Sequence, residues 1–166
     1  ELTGFDRSKF TQEECDDCND MMFITRFYKH PDCVCMLMAN ILHETGNMRW
    51  LEELDDGYYL RGRTDLGNPP GEGELWKGAG VLQITGLFNY TQLSKDVNDP
   101  MVVKLGSSYV AKNYPFTSAI SWIEANNLLH VCLTEGFDAC CKRINGGWTG
   151  INDRREKYSI CRRVLL

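Results

Sequence analysis

Apolar side chains recur at helical spacing along residues 34–42. Val34, Leu37, Met38, Ile41 and Leu42 fall at i, i+3, i+4, i+7 and i+8, which makes one continuous stripe on an α-helix. Pro31-Asp32 precedes the stripe and Thr45-Gly46 closes it, so the spacing predicts a helix over 33–42. A shorter helix is predicted at 19–28, ended by His30-Pro31. The acidic stretch before it, up to Asp20, reads as loop pinned by Cys15 and Cys18. Helical patterns return at 88–95, 101–112, 116–126 and 136–144, the last stopped by Gly146-Gly147. A final helix is predicted to open at Asp153, with Glu156 three residues on as in a capping box. It should turn Tyr158, Cys161 and Leu165 inward. Residues 55–80 break the pattern with Gly57, Gly62, Gly67, Pro69, Pro70, Gly71, Gly73, Gly78 and Gly80. They read as a long loop with a short hairpin at 81–85, and long loops in compact domains are usually functional. The predicted fold class is mainly α with one large irregular region.

The 166 residues fit a single domain over 1–166, long enough for two lobes. An ordinary balance of 43% apolar and 25% charged residues excludes collagen, a disordered tail and a coiled coil. The longest weakly polar run, 33–42, is half of the ~20 residues that a membrane-spanning helix needs, so no span is expected. The chain starts at Glu1, shows no signal peptide and reads as a mature or trimmed product. A net charge of −5 argues against nucleic acid as a partner. Arg154, Arg155, Lys157, Arg162 and Arg163 crowd the C-terminus and read as a solvated helix face beside a negative dipole end.

Eight cysteines change the picture of the compartment. They form two groups: Cys15, Cys18, Cys33, Cys35, then Cys132, Cys140, Cys141, Cys161. One reading is up to four disulfide bonds in a secreted protein, with a connectivity that sequence cannot choose. Another is a zinc site from the first four, although Cys33-x-Cys35 is one residue too tight for a knuckle. A third is free buried thiols. The disulfide reading is favoured, and it implies a secreted, extracellular protein. Cys140 and Cys141 point about 100° apart on a helix and should have different partners.

Candidate chemistry begins where the apolar stripe fails. One step beyond Ile41 on the same face stands Glu44, in the last turn of the helix. Burial and the helix dipole both disfavour its ionised form there, which suits a general acid. The plainer reading is an acid at a helix end that reaches water. Glu52 and Glu53 follow within nine residues and could supply a second carboxylate, or form a solvated pair. Trp50, Tyr58, Tyr59, Trp76, Phe88 and Tyr90 surround this region and could stack on sugar rings, or fill a core. Gln83, Asn89 and Asn145 could bond hydroxyl and acetamido groups. Such chemistry calls for no metal and no organic cofactor.

These residues also resemble a known family. His43-Glu44-Thr45-Gly46 followed by Arg49-Trp50-Leu51-Glu52-Glu53 is similar to the catalytic helix end of glycoside hydrolase family 19, and within it to the phage-endolysin-type lysozymes. Leu66-Gly67-Asn68, Gly71-Glu72-Gly73, the run 77–86 and Phe88-Asn89-Tyr90 resemble its central signature. Arg143-Ile144-Asn145-Gly146-Gly147, with 150–154 after it, resembles its closing motif. The first 30 residues match only loosely. The resemblance implies a lysozyme-like, two-lobed helical fold with a cleft, and an inverting mechanism. Glu44 would be the general acid. Glu53 would be the general base, with Glu52 as the fallback. Thr85 would hold the attacking water, and the two carboxyl groups would lie about 6.5–9.5 Å apart. Gln83, Asn89 and Asn145 would contact substrate, with Trp50 and Tyr58 beside them. His43 would shape the acid or simply be packed. One departure stands out: the family usually has Arg between the two glycines of the central signature, where this chain has Ala79, with Lys77 a partial substitute.

Peptidoglycan and chitin both carry β-1,4-linked N-acetylglucosamine. The absence of long plant-type loops and the close second acid favour bacterial peptidoglycan, hence a monomeric antibacterial or digestive lysozyme. Chitinase is the alternative, and a non-catalytic peptidoglycan- or chitin-binding module the next. A lytic transglycosylase also uses a helix-end Glu but needs no base.

Overall fold

The computed structural model describes residues 11–166. Nine α-helices occur among them: α1 (Gln12–Ile24), α2 (Pro31–Glu44), α3 (Leu87–Asp96), α4 (Met101–Leu105), α5 (Ser107–Asn113), α6 (Ile120–Ala125), α7 (Leu128–Thr134), α8 (Phe137–Asn145) and α9 (Ile151–Leu165). The described residues contain no sheet, only two isolated antiparallel bridges, Glu52 with Ala79 and Ala79 with Ile84. The mainly α class read from the sequence therefore holds. None of these helices is long and apolar enough to cross a membrane. The chain divides into two compact units, one of residues up to 49 together with 120–166, the other of residues 50–119.

In the first unit α2 is the central element. It buries Leu37, Ala39, Ile41 and Leu42 completely or nearly so and packs on α9, α8 and α7. Met21, Phe27, Ile123, Leu128 and Ile160 complete the core, each apolar side chain contributing about 1.5–3 kcal/mol by leaving water. Pro31 at the first helical position and Thr45 at the end set the limits of α2. The Thr45 hydroxyl donates to the Ile41 carbonyl at 2.7 Å and accepts from the Met48 amide at 2.9 Å, which satisfies the exit turn.

The second unit is largely irregular and is organised around Trp76, Ala79, Ile84, Tyr90, Leu93, Val102 and Val110. The Trp76 indole donates to the Val103 carbonyl at 3.0 Å and the Tyr90 hydroxyl to the Lys77 carbonyl at 2.6 Å. Both aromatics are therefore core residues. Asp99 ties α4 to α5 by accepting from the hydroxyls of Tyr109 and Tyr114.

Several elements differ from the pattern-based expectation. The stretch read as loop up to Asp20 is helical from Gln12, because Thr11 and Glu14 form a reciprocal capping box; residues 1–10 lie outside the described residues. The single helix expected over 101–112 is two, split at Gly106. The hairpin expected at 81–85 is a tight turn with one bridge. A short helix, α7, was not foreseen. α9 opens at Ile151 with Gly150 as its cap rather than at a capping box, because the Asp153 carboxylate faces His43 and Lys157. Leu165 is exposed, whereas Arg154 and Lys157 are buried, so the basic C-terminal run is only partly a solvated face. Of the side chains expected inward, Cys161 is buried; Arg154, Lys157 and Ile160 fill the rest of that face.

Gly106 has φ +69 and ψ −145, a region almost closed to other residues, and a Cβ there would lie 2.1 Å from the Leu75 carbonyl oxygen. Gly106→Ala is expected to lower unfolding free energy by at least about 2 kcal/mol, read from the urea midpoint. A change below about 0.5 kcal/mol would mean the turn relaxes freely.

Candidate active site

The end of α2 presents His43 and Glu44 together. Glu44 accepts a charge-assisted hydrogen bond from Nη2 of Arg154 on α9. The Arg154 side chain is 1% exposed and that of Glu44 29%. Nη1 of the same guanidinium donates to Asn40 Oδ1 at 2.6 Å, and Nε to the Thr149 carbonyl at 3.3 Å. Asn40 in turn donates to the Met36 carbonyl at 2.8 Å. The Glu44 carboxyl is therefore oriented by a buried cation, not by the purely apolar surroundings that the stripe implied.

His43 Nδ1 lies 2.6 Å from Asp153 Oδ2, and Lys157 donates to Asp153 Oδ1 at 2.6 Å. Burial raises the Asp153 pKa, but the hydrogen bonds and charges of Lys157 and His43 together outweigh it and hold the carboxyl below its ordinary value. Gly150 makes this packing possible: a Cβ there would fall 2.1 Å from the His43 ring. His43 is thus a wall beside Glu44, clamped to the helix that supplies Arg154. Asn145 closes α8, and the turn after it carries an exposed Trp148.

In the second unit Glu53 is pinned at both ends. Its amide donates to the Gly78 carbonyl at 2.8 Å, and its Oε2 accepts from the Gly78 amide at 2.8 Å. Oε1 accepts from the Tyr59 hydroxyl at 2.6 Å. Burial, followed by the hydrogen bond to Glu53, pushes the Tyr59 phenol up to about 12, so it stays a donor near neutral pH. Gly78 has to be glycine for close approach, since a Cβ would meet Gln83 Oε1 at 2.6 Å and Glu53 Oε2 at 3.2 Å. Gln83 sits at φ +52 and donates to the Gly80 carbonyl at 2.9 Å. The Thr85 hydroxyl donates to the Gln83 carbonyl at 3.0 Å, and Asn89 donates to the Thr85 carbonyl at 2.8 Å. Glu53, Gly78, Gln83, Thr85 and Asn89 are thus joined by a chain of contacts within one unit.

Glu52 has a different environment. It accepts from Ser107 at 2.8 Å and Ser108 at 3.0 Å, with Lys77 Nζ at 3.5 Å. Burial opposes its charge, yet the two serines and Lys77 prevail and hold its pKa below the ordinary 4.5. This carboxylate fastens the loop to α5. Ala79, at the position where the resemblance expects Arg, is fully buried and bridges both Glu52 and Ile84, with no room for a long cation. Lys77 is committed to Glu52 and the Asp55 carbonyl. Trp50 and Tyr58 are exposed, Tyr58 beneath the Arg61 guanidinium at 3.7 Å.

Arg154, Asn40 and Asp153 were missed from the sequence as site residues, and Tyr59 was weighed only as an aromatic. A signal existed for Arg154. It recurs with Lys157 and Cys161 at i, i+3 and i+7, a stripe on which a cation interrupts the buried face as Glu44 does on α2. Among the described residues no three His, Cys, Asp or Glu side chains converge as metal ligands.

No family model matches the chain. It is 30% identical over 114 residues to an endochitinase of Arabidopsis thaliana, covering 69% of this chain and 39% of that protein. It is 26% identical over 118 residues to endochitinase A of Zea mays, covering 68% of this chain and 40% of that one. The chain therefore spans about two fifths of the length of the curated relatives it matches. Its fold is similar to a family GH19, class IV chitinase from Zea mays, with TM-score 0.71, 20% identity and coverage of 94% of this chain and 81% of the other. It is equally similar to a bacterial family 19 chitinase, with TM-score 0.71, 14% identity and coverage of 95% and 89%.

The Glu52 environment yields a pH test. A carboxylate whose folded pKa lies below its unfolded value stabilises the fold above the ordinary 4.5, and that contribution drains away as pH falls toward the depressed value. Glu52→Gln should flatten the dependence of the thermal midpoint on pH between roughly pH 5 and 3. Parallel curves for variant and wild type would remove this role.

Proposed function

We propose that the chain is a member of glycoside hydrolase family 19 and an inverting hydrolase of β-1,4-linked N-acetylglucosamine polymers, with chitin as its substrate. The peptidoglycan reading drawn from the sequence gives way to its alternative. Short loops and a close second acid are no argument against chitin when the matched relatives are named endochitinases across 69% of this chain. The observation that carries the proposal is the Glu53 carboxylate, fixed by two donors and in no ion pair among the described residues, an arrangement that suits a general base.

In this reading Glu44 protonates the departing glycosidic oxygen. Glu53 takes a proton from the water that attacks the anomeric carbon, with the Thr85 hydroxyl as a partner for that water. Arg154 holds the Glu44 carboxyl and stabilises the negative charge that proton donation leaves behind. Gln83, Asn89 and Asn145 bond substrate hydroxyl and acetamido groups, while Trp50 and Tyr58 offer apolar faces to the sugar rings. The protein acts as a secreted monomer on an extracellular polysaccharide, and the chemistry uses no cofactor.

Glu44→Gln and Glu53→Gln should each lower turnover of soluble chito-oligosaccharides by about 10²–10⁴ while leaving circular dichroism unchanged. Glu52→Gln should stay within a few-fold of wild type. Loss of turnover in Glu52→Gln with activity retained in Glu53→Gln would reverse the assignment. The substrate is tested by offering chitin and peptidoglycan side by side, where faster release of reducing ends from peptidoglycan would overturn the chitin reading. Tyr59→Phe should cost roughly tenfold in kcat with KM little changed, as expected for loss of one hydrogen bond to a charged acceptor. An unchanged kcat would show that Tyr59 has no part in positioning the base.

A further inference from the structure

Cysteines in the first unit are not scattered. Helices α2 and α9 run antiparallel in a register fixed at both ends. At one end Asp32 accepts from the Tyr158 hydroxyl at 2.9 Å and lies 2.9 Å from Arg162 Nε. At the other, Asn40 and Glu44 meet Arg154, and His43 meets Asp153. Between these fixed points the register sets Cys35 opposite Cys161. Both are buried, and their thiols are in hydrogen-bonding contact.

A second pair follows from the α7–α8 hairpin. The chain reverses at Gly136, whose amide bonds the Val131 carbonyl, and Cys132 and Cys140 stand equally far from it on the two helices. Both are buried and their thiols touch. The Asn40 amide donates to Cys140 Sγ at 3.8 Å and closes that sulfur off from solvent.

We infer that Cys35 bonds to Cys161 and Cys132 to Cys140, and that the first bridge bolts together the helices that carry Glu44 and Arg154. Each bridge forms as two thiols surrender two protons and two electrons to a small-molecule disulfide such as oxidised glutathione, which leaves as two thiols. Burial raises the Cys35 and Cys161 thiols, so little thiolate exists in the closed fold and bridging accompanies folding. Cys33 lies within electrostatic reach of Cys132 and Cys140, without the thiol contact that marks the two pairs, and is the rival partner to test. Cys141 sits in the field of Arg154.

The test is refolding of the reduced full chain in a glutathione redox buffer, followed by alkylation and non-reducing peptide mapping of the folded monomer. Cross-linked peptides for Cys35–Cys161 and Cys132–Cys140 are expected, with Cys33 and Cys141 alkylated and a thermal midpoint several degrees above that of the reduced protein. Cys33→Ser should retain both bridges. The double variant Cys35→Ala, Cys161→Ala should keep only the hairpin bridge. Alkylation of all four paired cysteines in folded protein, or a Cys33–Cys132 link as the main product, would overturn the assignment.

Discussion

A guanidinium buried to 1% exposure can persist only where every donor it turns inward finds an acceptor. Arg154 meets that demand with three partners of three kinds: the Asn40 side chain, the Glu44 carboxylate and the Thr149 carbonyl. Two of them lie on α2, one turn apart, and the third lies in the bend that leads into α9. Satisfying one cation therefore fixes the rotation of α2, the register of α9 and the path of the chain between α8 and α9. The same register lets Asp153 reach His43 and brings Gly150 against the imidazole. Breaking such an arrangement from one side is costly, since removing either partner leaves a buried polar group unmatched.

In the second unit a different device holds the carboxylate. No helix or sheet carries Glu53. The backbone around it is fixed instead by reciprocal bonds with Gly78, by the bridges through Ala79 and by Glu52 clasping α5. Neighbouring glutamates thus do unlike work. Glu52 spends its acceptors on two serines and a lysine, and Glu53 keeps a carboxylate met by a phenol and an amide. Alternation along an extended backbone turns adjacent side chains to opposite sides, which is why one faces the fold and the other remains available.

The helical half of the molecule was legible because its signal is local. The α2 stripe, the closing Thr45-Gly46 and the stop at Gly146-Gly147 each declare themselves within a few residues. Glu44 was legible for the same reason, as a polar interruption of an apolar face. Helix α1 was hidden because its start rests on a reciprocal cap within an acidic, cysteine-bearing stretch without an apolar stripe. The split at Gly106 was hidden because its cause is the distant Leu75 carbonyl. Arg154 was misread because a charge run on a terminal helix is usually solvated, and only its three acceptors, remote in sequence, make burial tolerable. The resemblance favoured Glu53 over Glu52, but the unlike surroundings of the two could not be read, since those of Glu52 depend on serines more than fifty residues away.

The two carboxylates also differ in how their charge is treated, and that difference follows the chemistry proposed for them. A general acid ends its step as an anion, and stabilisation of that anion is most effective when the opposing charge is already oriented and dry. Arg154 is such a charge, buried and held by Asn40 before any substrate arrives. A general base begins as an anion and ends neutral, so a fixed cation beside it would hinder the proton transfer that it performs. Around Glu53 the donors are a phenol and a backbone amide, which orient the carboxylate without adding a full positive charge, while the nearby Lys77 is drawn aside to Glu52 and the Asp55 carbonyl.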